Sequence, residues 1–189
     1  MSQVNTKELL KQLYDQSVQM QQQAAGYFDG KTAALLQQPP APGKWSALQC
    51  LEHLNSYGRY YLPALEKVIT TAASKGSQPA THFKSSWLGA YFIRLMQPNT
   101  DQTLRSKMQS PRDHVPPVQL SADTVIAEFI QQQTRMQALL QRAAKINIRQ
   151  AKVPTSISRF IKLSVGDTFG FLTAHTHRHM LQAARAARA

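Results

Sequence analysis

The stripe Leu10, Tyr14, Val18, Gln21, Ala25 and Phe28 advances in three- and four-residue steps, which predicts an amphipathic helix from about Asn5 to Tyr27. Asp29-Gly30 ends it. A short piece carrying Leu35 and Leu36 follows, and then the run QQPPAPGKWS, whose three prolines and one glycine no helix can cross. Ser46-Ala47-Leu48-Gln49 has the form of a capping box, so a second long helix starts there. Its apolar positions Leu51, Leu54, Tyr57 or Gly58, Tyr61, Leu65 and Val68 keep the period to about Thr70, with Pro63 removing one hydrogen bond and bending the rod beyond His53. From 73 to 120 the chain is less regular. SKGSQP and QSPRDHVPP are loop compositions, whereas Ser86–Met96 reads as a short, very apolar helix that needs cover, by default through packing. Ser121 precedes a third long helix, with Val125, Phe129, Met136, Leu139, Leu140 and Ala143 in phase to about Lys145. A basic connection containing Pro154 leads to Ser164-Val165-Gly166-Asp167, a polar start for a fourth helix, with Asp167 near the positive end of the helix dipole. Val165, Phe169, Leu172 and His179 form its stripe. No segment alternates with period two, so essentially no sheet is expected. Four long helices joined with one long crossover, between the second and third, predict an all-α four-helix bundle.

A chain of 189 residues has room for one domain with a sizeable core, here taken as 1–189. With 42% hydrophobic and 17% charged residues it reads as globular, and no run of apolar residues is long enough to span a bilayer, so no membrane partner is expected. The opening MSQVNTKELLKQLYDQSVQM lacks the apolar core and cleavage site of a secretory signal. Cys50 is the single cysteine, which rules out an intrachain disulfide framework and a thiolate cluster and fits a cytoplasmic location. The net charge of +12 raises the question of nucleic acid. From Gln141 to Ala189 nine cations stand against Asp167 alone, but they are spread singly without aromatic interleaving or a recognisable binding motif. A solvated basic face is the preferred reading, and a nucleic-acid partner is not expected.

The histidines change the picture most. His175 and His179 stand four apart on the predicted fourth helix, which puts their Cβ atoms roughly 6 Å apart on one face and lets both imidazoles reach one ion. They continue the Leu172 stripe and so point inward. His177 is rotated by about 200° from His175 and cannot share that face. Inward histidines are also commonly satisfied by a carbonyl or a tyrosine. His53, within LQCLEHLNSY, sits at the margin of the second helix's apolar arc; periodicity permits it to join the pair without demanding it.

The string GKWSALQCLEHLNSYGRYYL resembles the second-helix signature of the DinB/YfiT-like superfamily, in which a Trp at the helix start is followed by an inward His. LSVGDTFGFLTAHTHRHMLQ resembles the matching fourth-helix signature, with its H-x-x-R-H core and following Gln. The matching positions are Trp45, His53, His175, Arg178, His179 and Gln182. The resemblance implies an up-down-down-up bundle, often a homodimer, holding a divalent metal on His53, His175 and His179. Members of known activity are thiol transferases that use bacillithiol, mycothiol or glutathione, among them a maleylpyruvate isomerase. The longer 73–120 crossover and the basic C-terminal quarter depart from the family's pattern.

Three neutral imidazoles leave an ion its full charge and an open position, the arrangement of a catalytic site. A thiol there would be held as thiolate, the form that attacks carbon electrophiles. The leading expectation is thus a metal-dependent thiol S-transferase acting on a small-molecule thiol and an electrophilic substrate. Arg178 either orients a ligand carboxylate or forms a structural ion pair, with the structural role ahead, as it is for Gln182 and Trp45. A metal-dependent hydrolase is the rival, handicapped because Glu52, the nearest acid, points elsewhere on its helix. A non-catalytic small-ligand-binding bundle is the third reading. Imidazole donors suit Zn, Ni and Fe alike.

Overall fold

The computed structural model describes residues 3–99 and 109–188. In chain order the elements are β1 (Val4–Asn5), α1 (Thr6–Phe28), α2 (Ala33–Gln37), α3 (Ala47–Ser74), β2 (His82–Phe83), α4 (Trp87–Met96), a 3-10 turn (Arg112–His114), α5 (Ala122–Ala143), β3 (Lys152–Pro154), β4 (Lys162–Ser164) and α6 (Val165–Ala186). The chain is mostly helical, as expected. Of the crossover predicted over 73–120, residues 100–108 lie outside the described residues.

The helix starts follow from their caps. The Asn5 side chain accepts from the Lys7 and Glu8 amides at the head of α1. At α3 both halves of the capping box are present: the Gln49 amide donates to Ser46 Oγ at 3.1 Å and the Ser46 amide donates to Gln49 Oε1 at 3.0 Å. Gly30, with φ of +67°, turns the chain between α1 and α2, a backbone conformation that side-chain-bearing residues avoid. α3 runs on through Pro63 to Ser74, four residues past the expected Thr70.

α1 and α3 each pack against both α5 and α6, and α4 lies on α6. Two apolar clusters fill the interior. One gathers Tyr57, Leu65 and Ile69 of α3 with Phe169 and Leu172 of α6 and Leu139 of α5. The other gathers Leu48, Leu51 and Leu54 of α3 with Phe129 of α5 and Met180 and Ala183 of α6. Along α3 the clusters meet between Leu54 and Tyr57, and along α6 between Ala174 and Met180. The polar layer at that seam contains His53, His175 and His179.

One expectation needs correction. The buried face of α1 is Leu10, Leu13, Ser17, Met20, Ala24 and Phe28, so the predicted Tyr14, Val18 and Gln21 sit at its margin and Ala25 is exposed. The reason is polar pairing: Ser17 Oγ donates to Gln133 Oε1 at 3.0 Å, so a hydroxyl occupies a core position with its hydrogen bond satisfied. Gln21, at the edge, donates to the Ile130 carbonyl and to Thr134. The expectation of essentially no sheet stands apart from two short antiparallel pairs, β1 with β2 and β3 with β4. Strands of two or three residues are too short to display a period of two.

α4 can lie close on α6 because glycines face the contact. A Cβ on Gly89 would stand 2.1 Å from Asp167 Cγ, and one on Gly170 2.8 Å from Ile93 Cδ1. The fully buried Asp167 joins the starts of both helices, its Oδ2 accepting from Ser86 Oγ (3.0 Å), the Ser86 amide (3.3 Å) and Ser164 Oγ (2.8 Å). No helix among the described residues is long and apolar enough to cross a membrane.

Candidate metal centre

His53 lies two turns into α3, at a depth fixed by the Ser46 cap, and faces the middle of α6. There His175 and His179 are both buried, one turn apart, while His177 between them is exposed. One ring nitrogen from each of His53, His175 and His179 lies within 4.8 Å of the others. The three residues singled out from the sequence therefore come together.

Hydrogen bonds orient two of the rings. His53 Nδ1 donates to the His114 carbonyl at 2.7 Å, and His179 Nδ1 donates to Gln182 Oε1 at 3.1 Å. A ring nitrogen facing a carbonyl oxygen must carry the proton, so Nε2 of each keeps its lone pair, the arrangement found behind metal-ligating histidines. His53 Nε2 stands 3.1 Å from His175 Nε2. Nitrogens that share one ion at about 2.0–2.1 Å are themselves roughly 3 Å apart, so the donor type, the tautomers of His53 and His179 and the His53–His175 spacing fit a divalent metal.

The electrostatics run the same way. Burial lowers the pKa of His53 to about 4, against the partial opposition of its bond to the His114 carbonyl. Burial, then the neighbouring imidazoles and Arg178, holds His175 and His179 well below the ordinary histidine range. All three are neutral at pH 7 and free to donate lone pairs.

Aromatic groups fix the ring planes. Phe171 stacks parallel to His175 at 5.6 Å, Tyr57 lies 4.4 Å from the same ring, and Trp45 lies 4.9 Å from His53 and 5.9 Å from His179. On the outer side the histidines open onto a cleft of about 580 Å³, walled by Trp45, Tyr57, Met96, Ser110, Arg178 and Gln182 among others. Arg178 is buried in that wall, and burial lowers its pKa. Glu52 points away as expected, paired with Arg59 at 2.7 Å. Among the described residues no Asp or Glu lines the cleft. Cys50 is buried elsewhere in the second apolar cluster, and burial pushes its thiol far up in pKa, so the chain's own thiol is inert.

Sequence reasoning missed His114. Its carbonyl orients His53, its Nδ1 donates to Ser56 Oγ at 2.9 Å while Ser56 Oγ donates to the His53 carbonyl at 2.7 Å, and its ring lies 3.9 Å from that of Tyr57. The stretch QSPRDHVPP carries no periodic signal, and a backbone acceptor has no sequence signature. Gln182 accepts a hydrogen bond from the ring of a candidate ligand, His179.

Neither a curated protein nor a solved structure matches the chain. The family model of the DinB superfamily matches residues 16–183, a span holding all three histidines together with His114 and Gln182. The chain thus belongs to the DinB superfamily.

Proposed function

We propose that this protein is a metal-dependent thiol S-transferase in which His53, His175 and His179 hold a divalent ion at the floor of the cleft. The observation that carries the reading is the convergence of three neutral, pre-oriented imidazoles on one point facing an open cleft rather than a closed core. Bound there, a divalent cation supplies Lewis acidity that keeps a thiol deprotonated near neutral pH. The protein's part is orientation. The His114 carbonyl and Gln182 hold two ligand rings, Trp45 and Tyr57 shield the seam from water, and Arg178 anchors an anionic group of the thiol or the electrophile. The attacking thiol comes from outside, since Cys50 is inert.

Hydrolysis is the weaker use of the same centre, because no carboxylate among the described residues lines the cleft to act as base. With the leading reading go a single domain over 1–189, an up-down-down-up bundle, a cytoplasmic homodimer, and Zn, Ni or Fe as the ion. The test is metal content after purification without a histidine tag, for wild type and His175→Ala, followed by low-molecular-weight thiols offered with a chromogenic electrophile. The expected result is about one ion per wild-type chain, loss of metal in the variant, and thiol consumption only by the loaded protein. Equal, negligible metal in both proteins overturns the reading.

A further inference from the structure

A second surface stands apart from the metal centre. Between β3 and β4 the chain turns through Thr155–Ile161, and Phe160 (83% exposed), Ile157 (61%) and Ile161 (37%) project into solvent there. Isolated exposed hydrophobics are ordinary, but three within five residues on one turn are not scattered. Nor is the turn loose. The Thr155 amide donates to the Ile161 carbonyl at 2.9 Å, Thr155 Oγ1 donates to the Ser158 carbonyl at 3.0 Å, and α3 holds the base through Tyr60, whose hydroxyl donates to the Thr155 carbonyl, and Tyr61, whose oxygen accepts from the Ser156 amide.

Along the chain on either side of this apolar tip the charge has one sign. Residues 129–166 contain Arg135, Arg142, Lys145, Arg149, Lys152, Arg159 and Lys162 and no Asp or Glu. Arg135 and Arg142 pair with Glu66 of α3; the other five are exposed and form no ion pair among the described residues. α4, which contacts β4, adds the exposed Trp87 and Tyr91.

We propose that the β3–β4 tip is a peripheral docking site for an anionic lipid surface, with Phe160, Ile157 and Ile161 entering the headgroup–acyl boundary while Lys152, Arg159 and Lys162 meet headgroup phosphates. Such a surface satisfies both halves of the patch at once, which neither a second copy of this chain nor a nucleic acid does. A second copy of this chain would set like charges face to face. A nucleic acid would neutralise the cations but leave two isoleucines against a phosphate backbone. No membrane-spanning helix is needed for peripheral attachment. The proposal does not depend on the chemistry of the histidine centre.

The test is co-sedimentation of the full chain with vesicles of phosphatidylcholine alone and with about a quarter phosphatidylserine. The expected result is binding to the anionic vesicles only, reversed by about 0.5 M salt. Ile157→Ser/Phe160→Ser weakens it by about tenfold or more, and Arg159→Ser/Lys162→Ser by about twentyfold. Both pairs replace exposed side chains, and unchanged thermal unfolding midpoints confirm that the variants fold. Val118→Ser removes an equally exposed apolar residue next to α2, where the Val118 carbonyl accepts from Gln37, and leaves binding unchanged. Three results overturn the proposal: no pelleting with anionic vesicles, undiminished pelleting of Ile157→Ser/Phe160→Ser, or a dimer in light scattering that this apolar variant dissolves. Binding of mixed DNA fragments in the absence of vesicle binding likewise overturns it, in favour of nucleic acid.

Discussion

Protons would compete with a bound metal for the same three lone pairs, and acid should weaken the metal-free fold by an amount that can be worked out for His53. Its pKa falls from an unfolded value of 6.5 to about 4 on folding. Between those values the unfolded chain binds a proton that the native chain refuses, so unfolding free energy rises with pH through the window and levels off above about 6.5. Integrating the linkage relation from about pH 7 down to about pH 5 gives a loss of about 2 kcal/mol from His53 alone. His175 and His179, also depressed by burial, act in the same direction. The assay is urea unfolding of chelator-treated protein at the two pH values, for wild type and for His53→Gln. Wild type should lose at least about 2 kcal/mol on acidification, and the variant about 2 kcal/mol less than wild type. Equal pH dependence in the two proteins would refute the reasoning, because it would mean that His53 titrates normally in the native state. Adding Zn²⁺ or Ni²⁺ should raise wild-type stability at about pH 7 and have little effect at about pH 5, since bound protons displace the ion.

Gln182→Leu removes the acceptor behind His179 and should lower metal affinity by about 10- to 100-fold, read by competition with a chromogenic chelator, with little change in helicity. Gly89→Ala would drive a methyl against the Asp167 carboxylate, locked by Ser86 and Ser164; a loss of about 2 kcal/mol or more in denaturant unfolding is expected, and a neutral result would mean that α4 is not seated on α6 as described. Cys50 should resist an aromatic disulfide reagent in native protein and react fully in denaturant, in a thiol-labelling time course.

Much of this arrangement was legible from residue spacing. The Ser46–Gln49 box sets the start of α3, and four-residue spacing separates His175 and His179 from the outward His177 because a helix has one period. His53 was placed by family resemblance, and its meeting with α6 depends on how two remote helices pack, which no local pattern encodes. The phase of α1 was misjudged because Ser17 is buried through a bond to Gln133, more than a hundred residues away. The cover of the apolar Trp87–Met96 segment was equally hidden: it depends on Gly89 and Gly170 allowing close approach and on a carboxylate from α6 reaching Ser86.

The bond from His53 to the His114 carbonyl has a consequence for how this cleft can diversify. The candidate ligands stand on α3 and α6, whereas the opposite wall at Ser110, Pro111 and Val115 belongs to the crossover. The crossover meets His53 Nδ1 chiefly through a main-chain oxygen at 2.7 Å, which every amino acid possesses, with the Ser110 hydroxyl farther off at 3.4 Å. The side chains of Pro111 and Val115 can therefore be exchanged, and the cleft reshaped, without disturbing the carbonyl that aims the imidazole. A change in backbone path at 112–114, or the loss of the Ser110 hydroxyl or of the His114 ring that Ser56 and Tyr57 hold, would reach the centre.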